Sequence, residues 1–214
     1  MANNCSFQMR IKGSLQMIAD FVAILYNDGP IVEYSDDVVR NGMHGKVYHL
    51  GKDYIGRVWD GRAILPKNAK RKKGEVLCEI FGDCAWSVQT AMFDSRHNIK
   101  DVACDMGLTI EIWSDEPGVG FREHYYFGKD AERDGTETDE EYPYEETGVE
   151  PPDPDCEDDS ALEEYDAAID ESIPINFEYL GEIPKNNSRV LPDMADNEKR
   201  DKFFGLPSWK GILL

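Results

Sequence analysis

Residues 5–12 alternate in character. Cys5, Phe7, Met9 and Ile11 fall on one side and Ser6, Gln8, Arg10 and Lys12 on the other, the two-residue period of a half-buried strand. Gly13 closes that pattern, and Ser14 offers a helix N-cap. Leu15, Ile18, Val22 and Leu25 then recur at three and four, which predicts a core-facing helix over 15–26. It stops at Asn27-Asp28-Gly29-Pro30. Residues 47–50 and 54–59 read as short strands, with turns at 51–53 and at Asp60-Gly61. Residues 75–82 have a nearly continuous apolar centre, as an interior strand has. A second helix is expected over 89–106, with Ile99, Val102, Ala103 and Met106 as its buried stripe and Gly107 at its C′ position. Residues 108–113 and 120–127 alternate again around a turn at 114–119 and predict a hairpin. The order strand–helix–strands–helix–strands points to an α+β sandwich, one mainly antiparallel sheet with two helices on one face.

Charge changes this picture, because it is confined. The 214 residues hold 43 acids and 23 Lys or Arg, a formal net charge of −20. Residues 130–180 carry 21 of the acids and a single base, Arg133, so the rest of the chain is balanced. Direct binding of bare nucleic acid is disfavoured, since phosphate contacts need clustered cations. The basic stretch 66–74 holds Lys67, Lys70, Arg71, Lys72 and Lys73 without an acid. It has no interleaved aromatic residue for base stacking, so it reads as a solvated connection. No apolar run approaches the ~20 residues that span a bilayer, and no basic-then-apolar leader is present, so a cytoplasmic location is expected. Five cysteines with no CxxC pair fit reduced thiols.

The acidic stretch has internal pattern. Ser160 and Glu163 form a capping box. Leu162, Tyr165, Ala168 and Ile169 follow as a helical stripe, with Glu163, Glu164, Asp166 and Asp170 facing elsewhere. Ile173, Ile175, Phe177 and Tyr179 then alternate as a strand before Gly181. The expected organisation is an α+β domain over 1–128 and an acidic segment over 129–183 with a helix near 160–170 and a strand near 173–179. A tail over 184–214 would dock its Phe203, Phe204, Leu206 and Trp209 on the domain.

The Met-Ala-Asn-Asn-Cys opening, Gly-Asp-Cys-Ala-Trp-Ser at 82–87 and Ser-Asp-Glu-Pro-Gly-Val-Gly-Phe-Arg-Glu-His-Tyr-Tyr-Phe at 114–127 resemble the YubB-type ferredoxin-like domain family of phages, plasmids and other mobile elements. The resemblance spans about residues 1–128. Asn4 stands where the family pattern has Trp. The resemblance implies a ferredoxin-like sheet and a mobile-element origin, and it brings no catalytic residues.

Candidate chemistry is sparse. His44 and His49 lie five apart, which suits no common metal spacing. His124 sits between Glu123 and Tyr125 and gives a second reading, a small hydrolase or nucleotide-modifying enzyme with its site near His124. Cys78, Cys84 and Cys104 lie in apolar contexts and read as small core residues. Cys156, among Asp155, Glu157 and Asp158, is a poor nucleophile. Gly118-Val119-Gly120 lacks the strand–loop–helix setting of a dinucleotide loop. The stretch 153–159 lacks the glycine and distal glutamate of an EF-hand. No metal and no cofactor is therefore expected.

The leading expectation is a non-enzymatic interaction protein that shows an acidic, nucleic-acid-mimicking surface to a basic nucleic-acid-binding host protein. An anti-CRISPR or other anti-defence inhibitor is the form considered. The acids assigned to that surface are Glu145, Glu146, Asp153, Asp155, Asp158, Asp159, Glu163, Glu164, Asp166 and Asp170. A third reading makes the chain a structural or accessory protein with an inert acidic linker.

Overall fold

The N-terminal alternation becomes β1 (Asn4–Ser14), which occupies the centre of a seven-stranded antiparallel sheet. The computed structural model describes residues 4–26, 39–40, 43–44, 58–93, 99–152, 159–194 and 196–205. The Ser14 hydroxyl accepts the Met17 N–H at 3.2 Å and starts α1 (Leu15–Leu25), as its capping chemistry predicts. A two-stranded ladder of β2 (Val39–Arg40) and β3 (Met43–His44) stands apart. The chain continues through β4 (Val58–Pro66), β5 (Glu75–Ala85), α2 (Val88–Met92), α3 (Ile99–Asp105) and the hairpin β6 (Thr109–Glu116) and β7 (Phe121–Gly128). It then adds α4 (Lys129–Asp134), β8 (Thr138–Pro143), α5 (Asp159–Ser172), β9 (Ser188–Leu191) and α6 (Asn197–Phe204). Across the sheet the order is β8-β7-β6-β1-β5-β4-β9. The protein is thus α+β, with six helices among the described residues.

The odd positions of β1 meet Ile18, Phe21, Val22 and Leu25 of α1, Val88 and Met92 of α2, Ile99 and Val102 of α3 and Phe204 of α6 in one core on the first face. Each fully buried aliphatic side chain there contributes about 1.5–3 kcal/mol relative to exposure. A second, smaller core lies on the other face, where Trp113 of β6 meets Tyr144, Ile169 and Ile173.

Several expectations are corrected. The helix anticipated over 89–106 is two helices, because Phe93 takes extended dihedrals and sends its ring against Tyr125 and Phe127, at 5.2 and 5.8 Å between centroids. The two helices on one face become α1, α2, α3 and α6. Asp60-Gly61 is a bulge inside β4, not a turn: the register with β5 shifts between Trp59 and Arg62. Gly61 has φ +117°, and a Cβ there would meet the Phe81 carbonyl oxygen at 2.3 Å, so only glycine fits. The strand expected at 47–50 and residues 54–57 of the one expected at 54–59 lie outside the described residues, whereas Val58 and Trp59 open β4.

The acidic stretch belongs to the same sheet. β8, drawn from it, pairs with β7 over Thr138 to Pro143. Helix α5 covers the stretch expected to be helical. Residues 173–179 form no strand, in contrast to the alternation reading. They run as an irregular strap across the second face: Ile173 donates its N–H back to the Ile169 carbonyl of α5, and Glu178 and Tyr179 donate theirs to the Glu111 side chain of the sheet rather than to a neighbouring strand.

Candidate functional site

Adjacent strand residues point to opposite faces, so the second face of the sheet carries Arg10, Glu79, Glu111, Trp113, Arg122 and His124. A polar sheet face is ordinarily solvated. Here the strap covers it, and the polar side chains hold the strap. Glu111 is fully buried. Its carboxylate accepts the backbone N–H groups of Glu178, Tyr179 and Leu180 at 2.8, 3.2 and 2.7 Å. It also accepts His124 Nε2 at 3.1 Å, which places the imidazole proton on Nε2. Glu79 accepts the Ile183 N–H at 2.9 Å. Arg10 donates to the Leu180 carbonyl at 2.7 Å and stacks over the Phe177 ring at 4.0 Å. Trp113 Nε1 donates to the Asn176 carbonyl at 3.0 Å.

Arg122 joins α5 to this frame. It donates to Asp115 at 2.9 Å, to Asp170 of α5 at 2.5 Å and to the Ile173 carbonyl at 2.5 Å. Tyr144 also donates to Asp115. A buried guanidinium with three acceptors fixes the C-terminal end of α5 on the sheet.

Between β8 and the strap lies a cleft of about 400 Å³. Trp113 and His124 stack at 4.2 Å, 11° from parallel, on its floor. Tyr142 stands 5.7 Å from Trp113 and Tyr179 6.2 Å from His124. Glu140 of β8 and Glu178 of the strap are among its other lining residues. Glu140 accepts the Tyr142 hydroxyl.

The acids expected to form a surface are distributed as follows. Glu145 and Glu146 stand exposed in the single 3-10 turn after β8. Glu163, Glu164 and Asp166 stand exposed on α5. None of these five is in an ion pair among the described residues, and the same holds for Asp139 and Glu141 of β8. Asp170 differs: it is 68% exposed but bonded to Arg122. Asp153, Asp155 and Asp158 lie outside the described residues, and Asp159 opens α5. Other acids of the stretch are internally matched. Asp130 meets Lys12 at 2.6 Å and Arg133 at 3.0 Å, and Glu137 meets Lys100 at 2.8 Å.

The Lys12 hydrogen bond holds the Asp130 carboxyl below the usual carboxylate range and raises Lys12 in turn. A depressed acid contributes stability that is complete above its unfolded value, near 4, and that is lost as pH falls through the folded value. The Lys12 contribution is lost only when pH rises through its own raised value. The urea midpoint difference between the native chain and D130N is therefore expected to be largest above about pH 5 and to shrink toward pH 2. A difference that stays constant over that range contradicts the assignment.

His124, Glu123 and Tyr125 do not converge. His124 faces the strap, whereas Glu123 points to the first face and accepts the Val88 N–H, the Ser114 hydroxyl and the Tyr125 hydroxyl at 3.0, 2.7 and 2.9 Å. Burial and the neighbouring Glu123 push the Tyr125 hydroxyl upward. Cys78 and Cys84 are fully buried core residues, and Cys104, half-buried, is pushed up to about 12 by burial and by Glu132. No group of His, Cys, Asp or Glu among the described residues is arranged to hold a metal ion. No helix among them is long and apolar enough to cross a membrane.

Sequence reading missed Glu111, Arg122, Trp113, Tyr142 and Glu178. Their signal was present only as polar residues alternating with apolar ones, which a solvated sheet face gives equally well. No family model, no curated protein and no solved structure matches the chain.

Proposed function

We propose that this chain is a non-enzymatic, cytoplasmic interaction protein of a mobile element. It presents an acidic surface in place of nucleic acid to a basic, nucleic-acid-binding host protein, such as a CRISPR effector or another defence factor. One observation carries the reading. Exposed carboxylates without a cation partner among the described residues ride on elements that are themselves fixed, β8 and the turn after it by the pairing of β8 with β7 and by buried Tyr144, and α5 by Ile169 and the Arg122 contact. An inert linker would need neither the pairing nor the anchor. Fixed charges repel their own counterparts and attract a cationic groove at long range, and they set its register on contact. Glu145, Glu146, Glu163, Glu164 and Asp166 are the contact acids, joined in this reading by Asp159 at the start of α5 and by Asp153, Asp155 and Asp158, which precede it in the sequence. Asp170 serves both the surface and the anchoring of α5.

The scaffold fits this role. We read strands β6-β1-β5-β4, with α1 and the α2–α3 pair as their crossovers, as a ferredoxin-like core, in keeping with the resemblance over residues 1–128. Numbered in chain order within that core, the strand order is 4-1-3-2, with every neighbouring pair antiparallel.

The test is capture of binding proteins from nuclease-treated host lysate, followed by competition. Duplex DNA is expected to displace the captured protein, and raising salt from 50 to 300 mM is expected to weaken the complex. The triple variant E163Q/E164Q/D166N is expected to lose about tenfold or more in affinity with an unchanged thermal midpoint. Affinity indifferent to DNA, salt and the triple variant overturns the proposal.

A further inference from the structure

We propose that the cleft between β8 and the strap is a socket for a guanidinium side chain, an arginine of the partner protein. This rests on the acidic-surface reading and names the anchor within it. The floor of the cleft is aromatic and buried: Trp113 and His124 are 5% and 3% exposed. Tyr142 and Tyr179 continue the same stack of rings to the rim, each within 20° of parallel to its neighbour, and Tyr179 is 39% exposed. Period two brings Glu140 and Tyr142 of β8 to the same side as His124, with Glu140 directly opposite it in the register. Glu178 enters from the strap, because Glu111 holds its backbone N–H.

Two carboxylates thus bear on one phenol. Burial, the Glu140 hydrogen bond and the Glu178 charge push the Tyr142 hydroxyl up to about 12. Neither carboxylate has a cation partner among the described residues, so their negative field at the mouth of the cleft is uncompensated. A cation that can also lie flat against aromatic rings satisfies both features. Guanidinium does this, since it stacks on aromatic faces, is weakly hydrated and offers several donors to carboxylates. A lysine ammonium is more strongly hydrated and gains less from the ring surfaces. A hard metal ion prefers an all-oxygen shell, which the floor of rings does not supply.

The test uses the full-length, isotope-labelled chain and N-acetyl-argininamide as probe, with the neutral N-acetyl-citrullinamide as control. The Trp113 indole N–H signal, identified by its loss in W113F, is expected to shift saturably with the arginine probe at millimolar concentration and to ignore the citrulline analogue. E178Q and E140Q are each expected to weaken the probe about fivefold, and Y179A to abolish saturation. Equal shifts with both probes, no shift at Trp113, or a shift untouched by E178Q and Y179A overturns the socket. No partner protein enters this measurement. Loss of partner capture with an intact arginine response therefore counts against the acidic-surface reading alone, and the reverse result counts against the socket alone.

Discussion

E111A is expected to destabilise the protein by about 4 kcal/mol and to free the strap. The carboxylate of Glu111 is the acceptor for three consecutive backbone N–H groups and for His124. Truncation leaves the buried Leu180 and His124 donors unsatisfied, at about 1–3 kcal/mol each, and the part-buried Glu178 and Tyr179 donors with only water to turn to. E111Q is expected to fall between the two, because an amide keeps one acceptor oxygen but turns an NH2 toward N–H groups. Urea denaturation reads the loss, and hydrogen exchange locates it. The Glu178, Tyr179 and Leu180 amides should exchange far faster in E111A, while β1 amides keep their protection relative to global unfolding. A loss below about 1 kcal/mol, or unchanged exchange at those three amides, would show that the strap is held by its apolar contacts instead.

R122M is expected to cost about 3 kcal/mol and to detach α5. The methionine matches the aliphatic stem of Arg122 but removes the guanidinium, which leaves the Ile173 carbonyl without its donor and Asp115 without its cation. D170N should cost far less, under about 1 kcal/mol, since Asp170 stays largely in water and exposed pairs contribute little. The contrast separates the two partners of one arginine. Chemical denaturation supplies the energies, and exchange at the amides of α5 supplies the location. Equal losses in R122M and D170N would mean that the exposed pair, and not the buried donor, fixes the helix.

The first face of the sheet was legible from spacing. Alternation in 5–12 and in 108–127 yields β1, β6 and β7, and the three-four spacing of Ile18, Val22 and Leu25 yields α1, because burial on one side leaves that imprint directly. The second face left no such imprint. Arg10, Glu79, Glu111 and Arg122 look like solvent positions, yet they are covered by a strap that needs them as hydrogen-bond partners. β8 was hidden for a related reason: Thr-Asp-Glu-Glu-Tyr-Pro has poor strand propensity, and pairing with β7 overrides it. Residues 173–179 mislead in the opposite direction. Their apolar alternation is real and packs on the sheet, but Ile173 donates to the Ile169 carbonyl and Glu111 captures the Glu178 and Tyr179 amides. The cleft was illegible altogether, since its lining comes from four separate stretches joined only by the folded chain.

β8 closes its side of the sheet, and among the described residues nothing pairs beyond it. An open border of backbone donors and acceptors invites an identical border on another copy. Asp139, Glu140 and Glu141 in mid-strand set like charges against like in any such union. The anions of this border strand thus keep the molecule from extending its sheet into a second copy of itself.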